Sequence, residues 1–148
     1  MTDIQSEYCD LPTGVFLIEF LPRHEISVWQ DGYPVPINRW YKIHAHRDSI
    51  SMAVPTQSSE HGSLTPVSVS CLIISDSQAT ADQLTQMGEM RFALRLTQHS
   101  GKRIIVGTPE EFVTLSATEM TLSQPVGAQG HRLNFTGSFT KRPLTLPT

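Results

Sequence analysis

The chain has 148 residues, with 11 Lys and Arg against 14 Asp and Glu, and a formal net charge of -3. That length fits one domain, which buries roughly two-thirds of the surface that its unfolded chain exposes. A hydrophobic content of 39%, with 10 prolines and 9 glycines, indicates a loop-rich globular protein and excludes a disordered one. A negative net charge argues against a sequence-independent DNA-binding protein, so we expect no specific nucleic-acid partner.

The 2 cysteines are too few for a disulfide framework. Cys71 lies within the apolar run VSCLII and is expected to pack as a small hydrophobe, whereas Cys9 lies in a polar segment. The segment MTDIQSEYCDLP lacks the positive flank and apolar centre of a signal peptide. No run reaches the ~18 to 20 apolar residues that cross a bilayer. We therefore expect a protein made in the cytoplasm, with no membrane partner.

Two regions are predicted along the chain: a polar N-terminal arm over residues 1–13 and a single β-rich domain over residues 14–148. The arm is expected to be ordered only where something pairs with it. Apolar alternation bounded by turn residues predicts strands in the domain. The predicted strands are GVFLIEF (14–20), ISVWQ (26–30), NRWYKIHAH (38–46), SISMAV (49–54), VSVSCLIIS (67–75), RFALRLTQ (91–98), KRIIVG (102–107), EFVTLSATEMTL (111–122) and HRLNFTGSFT (131–140).

The connections are predicted from their turn residues. LPRHE is a turn, DGYPVP gives an Asp-Gly turn followed by two prolines, and the polar segment 55–66 is a surface loop. One helix is predicted over about residues 77–88, since Asp76 or Ser77 can cap its start and Gly88 lies near its end. Together these elements predict a mainly β fold, a single-domain β-barrel or β-sandwich with this α-helix packed against it.

The stretch SGKRIIVGTPEEF, residues 100–112, raises the question of a phosphate-binding loop. A G-x-x-x-x-G-K-[ST] loop opens a helix, but here Lys102 is followed by Arg103, no glycine heads the motif, and RIIV is β-branched. The stretch is better explained as a hairpin turn with Gly101 at a positive φ. We expect no nucleotide or other cofactor, and we expect the carboxylates of Glu110 and Glu111 to lie in a solvated loop.

The segment HAHRD is the strongest candidate for metal binding. On a strand, His44, His46 and Asp48 project to one face and could hold a divalent metal such as zinc, with further ligands from Glu60 or His61. The alternative is a half-buried strand whose polar face meets solvent or a neighbouring subunit. That alternative is favoured, because a specific zinc motif supplies a third and a fourth ligand.

Catalytic motifs such as G-x-S-x-G and H-E-x-x-H are missing from the sequence. We therefore expect a protein that is not an enzyme, with no catalytic residues and no small-molecule substrate. A third possibility is a small ligand-binding module in which Trp29, Trp40 and Tyr41 line a groove. Such aromatic residues more often form core and subunit contacts, with Trp40 as the anchor of its strand.

The C-terminal third, from Phe92 to Pro143, combines a V-G-T-P turn with a glycine-punctuated strand and a basic-proline tail. It resembles small structural proteins encoded in phage and prophage morphogenesis clusters, those of the tail, tail completion or neck. The residues that match this pattern are Val106, Gly107, Thr108, Pro109, Gly130, Leu133, Phe135, Thr136, Gly137, Phe139, Arg142 and Pro143.

The resemblance implies a non-enzymatic virion protein that assembles as a homo-oligomer, with other virion proteins as partners. Its location would be the cytoplasm after synthesis and then the virion. The arm 1–13, the loop 55–66, the tail 141–148 and the edge strands would make the contacts between subunits. The alternative is a metal-dependent or small-ligand-binding β-barrel protein that uses His44, His46 and Asp48.

Overall fold

A computed structural model describes residues 3–5, 15–46, 49–53, 64–121, 129–140 and 143–146. These residues form twelve strands, one α-helix and one short 3₁₀ turn, Arg23–Glu25. The strands are β1 (Ile4–Gln5), β2 (Val15–Pro22), β3 (Ile26–Gln30), β4 (Tyr33–Pro36), β5 (Tyr41–His44), β6 (Ser51–Ala53), β7 (Thr65–Ile74), β8 (Arg91–Gln98), β9 (Arg103–Val106), β10 (Val113–Thr121), β11 (Gln129–Phe139) and β12 (Leu144–Leu146), and the helix is α1 (Gln78–Met87).

Ten strands form one sheet in the order β1-β5-β2-β8-β10-β11-β7-β6, with β9 beside β8 and β12 beside β9. β3 and β4 form a separate hairpin. The segment after β5 reaches β7, which lies towards the other end of this order: the His46 amide donates to the Leu72 carbonyl at 2.7 Å. Within the described residues the sheet remains open and does not close into a barrel. The predicted mainly β fold with one helix is confirmed.

One face of the sheet carries the main hydrophobic core. Three rings form its centre: Phe20 and Phe92 meet edge to face at 5.7 Å, and Phe92 and Phe135 at 6.0 Å. Cys71 is fully buried in the same core cluster, and burial raises the pKa of its thiol to about 12. Cys71 therefore packs as the small hydrophobe that its apolar neighbours predict.

Helix α1 covers one end of this core. It begins after Ser77, whose N–H donates to the Ser75 hydroxyl at 3.2 Å, and it ends at Gly88. Leu84 and Met87, spaced three residues apart, are its buried side chains. The predicted helix over about residues 77–88 is confirmed, and of the two predicted caps Ser77 occupies the N-cap position.

The structure also differs from the predictions. The predicted strand over residues 38–46 is shorter, since β5 ends at His44. β7 begins at Thr65, so the end of the predicted loop 55–66 belongs to a strand paired with β11. Part of the predicted tail is also a strand, because residues 144–146 pair with β9 as β12. These corrections have one cause: the partner strand is distant in sequence and cannot be read locally.

Strand β4 follows the predicted Asp-Gly turn, in which Asp31 has φ 51° and Gly32 has φ 81°. This turn is confirmed, but the two prolines after it conceal a strand. β4 pairs only with β3 among the described strands, so the N–H groups missing at Pro34 and Pro36 need not interrupt a second ladder. Residues 1–2 and 6–13 of the predicted arm lie outside the described residues, whereas Ile4 and Gln5 pair in parallel with β5.

Candidate functional site

The stretch 100–112 begins with a tight turn between β8 and β9. Gly101 has φ 88° and its N–H donates to the Gln98 carbonyl at 2.9 Å, while the Gln98 N–H donates to the Lys102 carbonyl at 2.9 Å. Residues 103–106 continue as a strand. The hairpin prediction is confirmed, and Lys102 does not head a helix.

The turn after β9 is held closed by hydrogen bonds between Thr108 and Glu111. The Thr108 N–H donates to the Glu111 carbonyl at 2.8 Å, and the Glu111 N–H lies 3.0 Å from the Thr108 hydroxyl that accepts it. The Glu111 carboxylate in turn accepts the Thr140 N–H at 3.1 Å and the Thr140 hydroxyl at 2.8 Å. Both glutamates lie in a loop, as predicted: Glu110 is exposed, while Glu111 is half-buried and ties the turn to the end of β11.

A pocket of about 560 Å³ lies beside this turn. It is lined by Gly32, Ile105, Gly107, Thr108, Pro109, Glu110, Phe139, Thr140, Pro143 and Thr145. The V-G-T-P turn (residues 106–109) and the end of β11 (Phe139 and Thr140) are distant in sequence, and both line this cavity. Its volume is in the range of about 300 to 1,000 Å³ that accommodates ligands. Among the described lining residues, Glu110 is the one that carries a charge.

Gly107 positions this turn against the sheet. Its φ is 136°, and a Cβ added there would lie 3.2 Å from the Cβ and 3.3 Å from the Cα of Ala93. Both features exclude larger residues. The glycine of the V-G-T-P turn therefore has a packing role, because it lets the end of β9 approach β8.

The predicted metal site is not assembled on one strand. His44 and His46 are half-buried, and the flanking Ile43 and Ala45 are buried in the core, as the alternative interpretation expects. Because β5 ends at His44, the alternation that would bring His44, His46 and Asp48 to one face of a strand does not continue to His46. Asp48, Glu60 and His61 lie outside the described residues. In the part of the chain that the structure describes, no three His, Cys, Asp or Glu side chains group as metal ligands.

The three aromatic residues predicted to line a groove are separated. Tyr41 lies in the main core, stacked on Phe20 at 5.5 Å, and its hydroxyl donates to Glu25 at 2.5 Å. That hydrogen bond raises the pKa of Tyr41 above its ordinary 10.0. Trp40 precedes it in the chain and is buried outside that core cluster, while Trp29 meets the Phe112 ring at 6.0 Å. The predicted shared groove is therefore wrong.

Sequence reasoning missed a polar layer between the sheet and the β3–β4 hairpin. The Arg95 guanidinium donates from Nε to Glu19 Oε1 at 2.9 Å and from Nη2 to Glu19 Oε2 at 2.6 Å. Its Nη1 donates to the Tyr33 hydroxyl, and the guanidinium carbon lies 4.6 Å from the centre of the Trp40 ring. The Glu19 and Arg95 side chains are 8% and 14% exposed. This layer fixes the hairpin to the sheet.

A signal for this pair was present in the sequence. Each apolar strand, VFLIEFLP and RFALRLTQ, carries one charged residue between buried neighbours, Glu19 in β2 and Arg95 in β8. In the antiparallel register these two residues are direct partners. Burial acts to lower the pKa of Arg95, but the hydrogen bonds and charge of Glu19 outweigh that effect and raise it. The pair is thus self-neutralising.

We found no match to the chain among protein-family models, curated proteins or solved structures. Within the described ranges, no helix combines the length and the apolar character that a membrane crossing requires. The fold and the geometry of the described residues therefore carry the functional argument.

Proposed function

We propose that this protein is a non-enzymatic structural subunit that assembles as a homo-oligomer in the tail or neck of a phage or prophage virion. The observation that carries the proposal is the chemistry of three edge strands, β1, β6 and β12. Among the described strands each pairs on one side only. Their residues, IQ, SMA and LTL, include no charged residue and no proline.

Edge strands present unpaired N–H and C=O groups, and soluble proteins usually protect them by keeping them very short or with charges, prolines or bulges. In this chain β4 has that protection, since Pro34 and Pro36 remove two donors from it. β1, β6 and β12 carry neither a proline nor a charge, and they are protected only by their length of two or three residues. An unprotected edge accepts a further strand, and the most abundant source of a complementary strand in a homo-oligomer is a second copy of the same chain.

β12 is the first edge to test, because Thr145 in β12 and Pro143 just before it line the 560 Å³ pocket. In strand addition, main-chain hydrogen bonds give affinity and adjacent pockets receive side chains. The exposed carboxylate of Glu110 favours a basic side chain, which the exposed Arg91 and Lys102 of a second copy would supply.

The non-enzymatic part of the proposal is supported by how the buried charges are used. Three nitrogens of Arg95 donate to Glu19 and Tyr33, and both Glu19 oxygens accept. A group that is hydrogen-bonded in this way holds elements together and is not poised to exchange a proton with a substrate.

Sedimentation velocity over a dilution series tests the assembly. We expect the wild type to shift from oligomer to monomer on dilution, with Thr145→Lys and Ala53→Lys weakening association on the order of tenfold, about 1.4 kcal/mol. Thr136→Lys is the matched control: it adds the same charge at an exposed position of β11, which has a partner strand on both sides. A monomer that persists up to about 100 µM, or equal effects of all three variants, would overturn the assembly proposal.

Placement in a virion has a separate test. We expect neighbouring genes for portal, terminase or tail proteins, and we expect the chain in purified particles when these are analysed by mass spectrometry. Its absence from particles assembled by the same gene cluster would contradict that placement, whatever the oligomeric state.

A further inference from the structure

The β3–β4 hairpin is held at its base and at its tip by different contacts. At the base, the Ile37 N–H donates to the Glu25 carbonyl at 2.9 Å, and the Glu25 carboxylate accepts the Tyr41 hydroxyl at 2.5 Å. Towards the tip, Arg95 Nη1 donates to the Tyr33 hydroxyl. β3 and β4 pair with no other described strand, so no backbone ladder joins the hairpin to the main sheet within the described residues. The base is therefore anchored through the main chain, whereas side chains hold the tip.

Little of the hairpin is buried. The structure describes every residue from 26 to 36, and among them Pro34 is the one that is buried. Val28 is 49% exposed, and the half-buried Trp29 meets the Phe112 ring edge to face at 6.0 Å. A segment that buries few apolar side chains opens locally at a lower free energy than the core of its protein. The hairpin therefore has little apolar burial to oppose its opening.

Opening of the hairpin separates no buried charges. Glu19 lies in β2 and Arg95 in β8, so both members of the ion pair belong to the main sheet. The hairpin contributes the neutral hydroxyl of Tyr33 to this layer. If the tip moves away, the ion pair stays intact and the hydrogen bond of Tyr33 is exchanged for hydrogen bonds with water.

Trp40 packs against the tip and carries a donor without an acceptor. Its ring lies 6.1 Å from the Tyr33 ring, and the Arg95 guanidinium carbon lies 4.6 Å from its centre. The residue is 7% exposed, and its Nε1 is buried with no hydrogen-bond partner among the described residues. Buried polar atoms are nearly always hydrogen-bonded, and one that is not destabilises the conformation that buries it. That conformation is the closed hairpin.

The tip also forms part of the wall of the 560 Å³ pocket. Gly32, in the turn between β3 and β4, lines this pocket together with Thr145 of β12. Phe112, which Trp29 contacts, closely follows the lining residues 107–110. Movement of the tip away from the sheet therefore removes one wall and widens the mouth of the pocket.

We infer that the β3–β4 hairpin is a lid on this pocket, which opens around its base at Glu25 and Ile37 and lets water reach Trp40 Nε1. The inference rests on the proposed function in one respect, since the side chain that the open lid admits belongs to the strand that a second copy adds to β12. Closing of the lid buries that side chain and slows its release.

Hydrogen exchange of the indole N–H of Trp40, observed by NMR and assigned with a Trp29→Phe variant, tests the opening. Because this N–H has no hydrogen bond, it exchanges when water reaches it. We expect exchange on the order of tenfold or more faster than that of the slowest amides of β7 and β11, which exchange by unfolding of the core. Low concentrations of urea should accelerate the core amides and leave the Trp40 rate nearly constant, because opening of a lid exposes little surface.

Two variants locate the contact that keeps the lid closed. Tyr33→Phe keeps the ring against Trp40 and removes the hydroxyl that binds Arg95, so it should accelerate exchange of the Trp40 indole on the order of tenfold. Ser27→Ala is the matched control, because the Ser27 hydroxyl donates to the Val35 carbonyl at 3.2 Å within the hairpin. That bond persists when the lid opens, so its loss should leave the Trp40 rate unchanged.

The inference is overturned if Trp40 exchanges as slowly as the core amides, if urea accelerates both alike, or if Tyr33→Phe and Ser27→Ala have equal effects. The link to assembly is measured separately, by light scattering after a concentration jump and after dilution. Tyr33→Phe should speed association and dissociation by similar factors, since the lid controls both. Wild-type rates in Tyr33→Phe would overturn the lid role, whereas a wild type that never associates would overturn the proposed function and leave the exchange result standing.

Discussion

The buried pair between Glu19 and Arg95 gives the sharpest test of how the hairpin is held on the sheet. Glu19→Gln keeps the size of the side chain and removes its charge. The Arg95 guanidinium then stays between the sheet and the β3–β4 hairpin without a counter-charge, at 14% exposure. Tyr33 and Trp40 still contact the guanidinium, but neither side chain carries a charge.

Removing one partner of a buried ion pair costs about 3 to 5 kcal/mol. We expect about 3 kcal/mol here, the lower end of that range, because the glutamine oxygen still accepts a hydrogen bond from the guanidinium. For a domain of this size that corresponds to a fall in Tm of about 6 to 12 °C. Replacing both residues, Glu19→Met with Arg95→Met, should return stability to within about 1 kcal/mol of the wild type, since no charge is then buried.

Urea denaturation followed by circular dichroism measures these differences. The matched control is Asp3→Asn, which breaks an ion pair with Arg39 whose side chains are 28% and 52% exposed, and it should cost less than about 1 kcal/mol. If Glu19→Gln cost no more than Asp3→Asn, the polar layer would not be what holds the hairpin. If the double variant were as unstable as the single one, the loss would come from packing and not from an unpaired charge.

Three further predictions concern the glycine turn, the buried thiol and β1. Gly107→Ala should lower the free energy of unfolding by about 2 kcal/mol, since it strains the backbone and crowds Ala93. The control Gly88→Ala, at a helical φ of -61°, should change that free energy by less than about 1 kcal/mol. Equal losses of the two variants in urea denaturation would contradict the packing role of Gly107. In a Cys9→Ser background, a thiol reagent should modify Cys71 only as fast as the chain unfolds, because burial raises the pKa of that thiol to about 12, and prompt modification of native protein would contradict it. Burial acts to raise the pKa of Asp3, but hydrogen bonds from the Lys42 amide and the Arg39 side chain outweigh it and lower the pKa below 3.8. The stability that Asp3 contributes is therefore present above pH 3.8 and is lost as the pH falls through the lower pKa of Asp3 in the folded state. Protection of the β1 amides against hydrogen exchange should therefore fall with acid in the wild type, and fall less in Asp3→Asn.

The elements that sequence could predict are those whose signal is local. β8 matches its predicted bounds, residues 91–98, and the helix lies within its predicted range, because apolar period and capping residues act over a few residues. The turn at Gly101 was also predictable, since a glycine between two β-branched or apolar runs needs only its neighbours to explain it.

The elements that sequence missed depend on distant partners. β1 and β12 are 2 and 3 residues long, too short for a periodic pattern, and each exists because β5 or β9 offers it an edge. The Glu19–Arg95 pair joins residues 76 apart in the chain, so only the register of β2 against β8 reveals it.

The edge strands of this chain are protected to different extents, and this difference favours assembly through the less protected ones. Where the hairpin lies over the sheet, the Glu19–Arg95 ion pair holds it, and Pro34 and Pro36 oppose the pairing of β4 with a further strand. At β6 and β12 the same chain places serine, methionine, alanine, leucine and threonine, residues that allow pairing to continue. In a monomer these edges are protected only by their length of three residues each, with no charge or proline to oppose aggregation. In the proposed assembly a second copy covers these edges, so mutating them to lysine should weaken association while leaving the free energy of unfolding of the isolated subunit nearly unaltered.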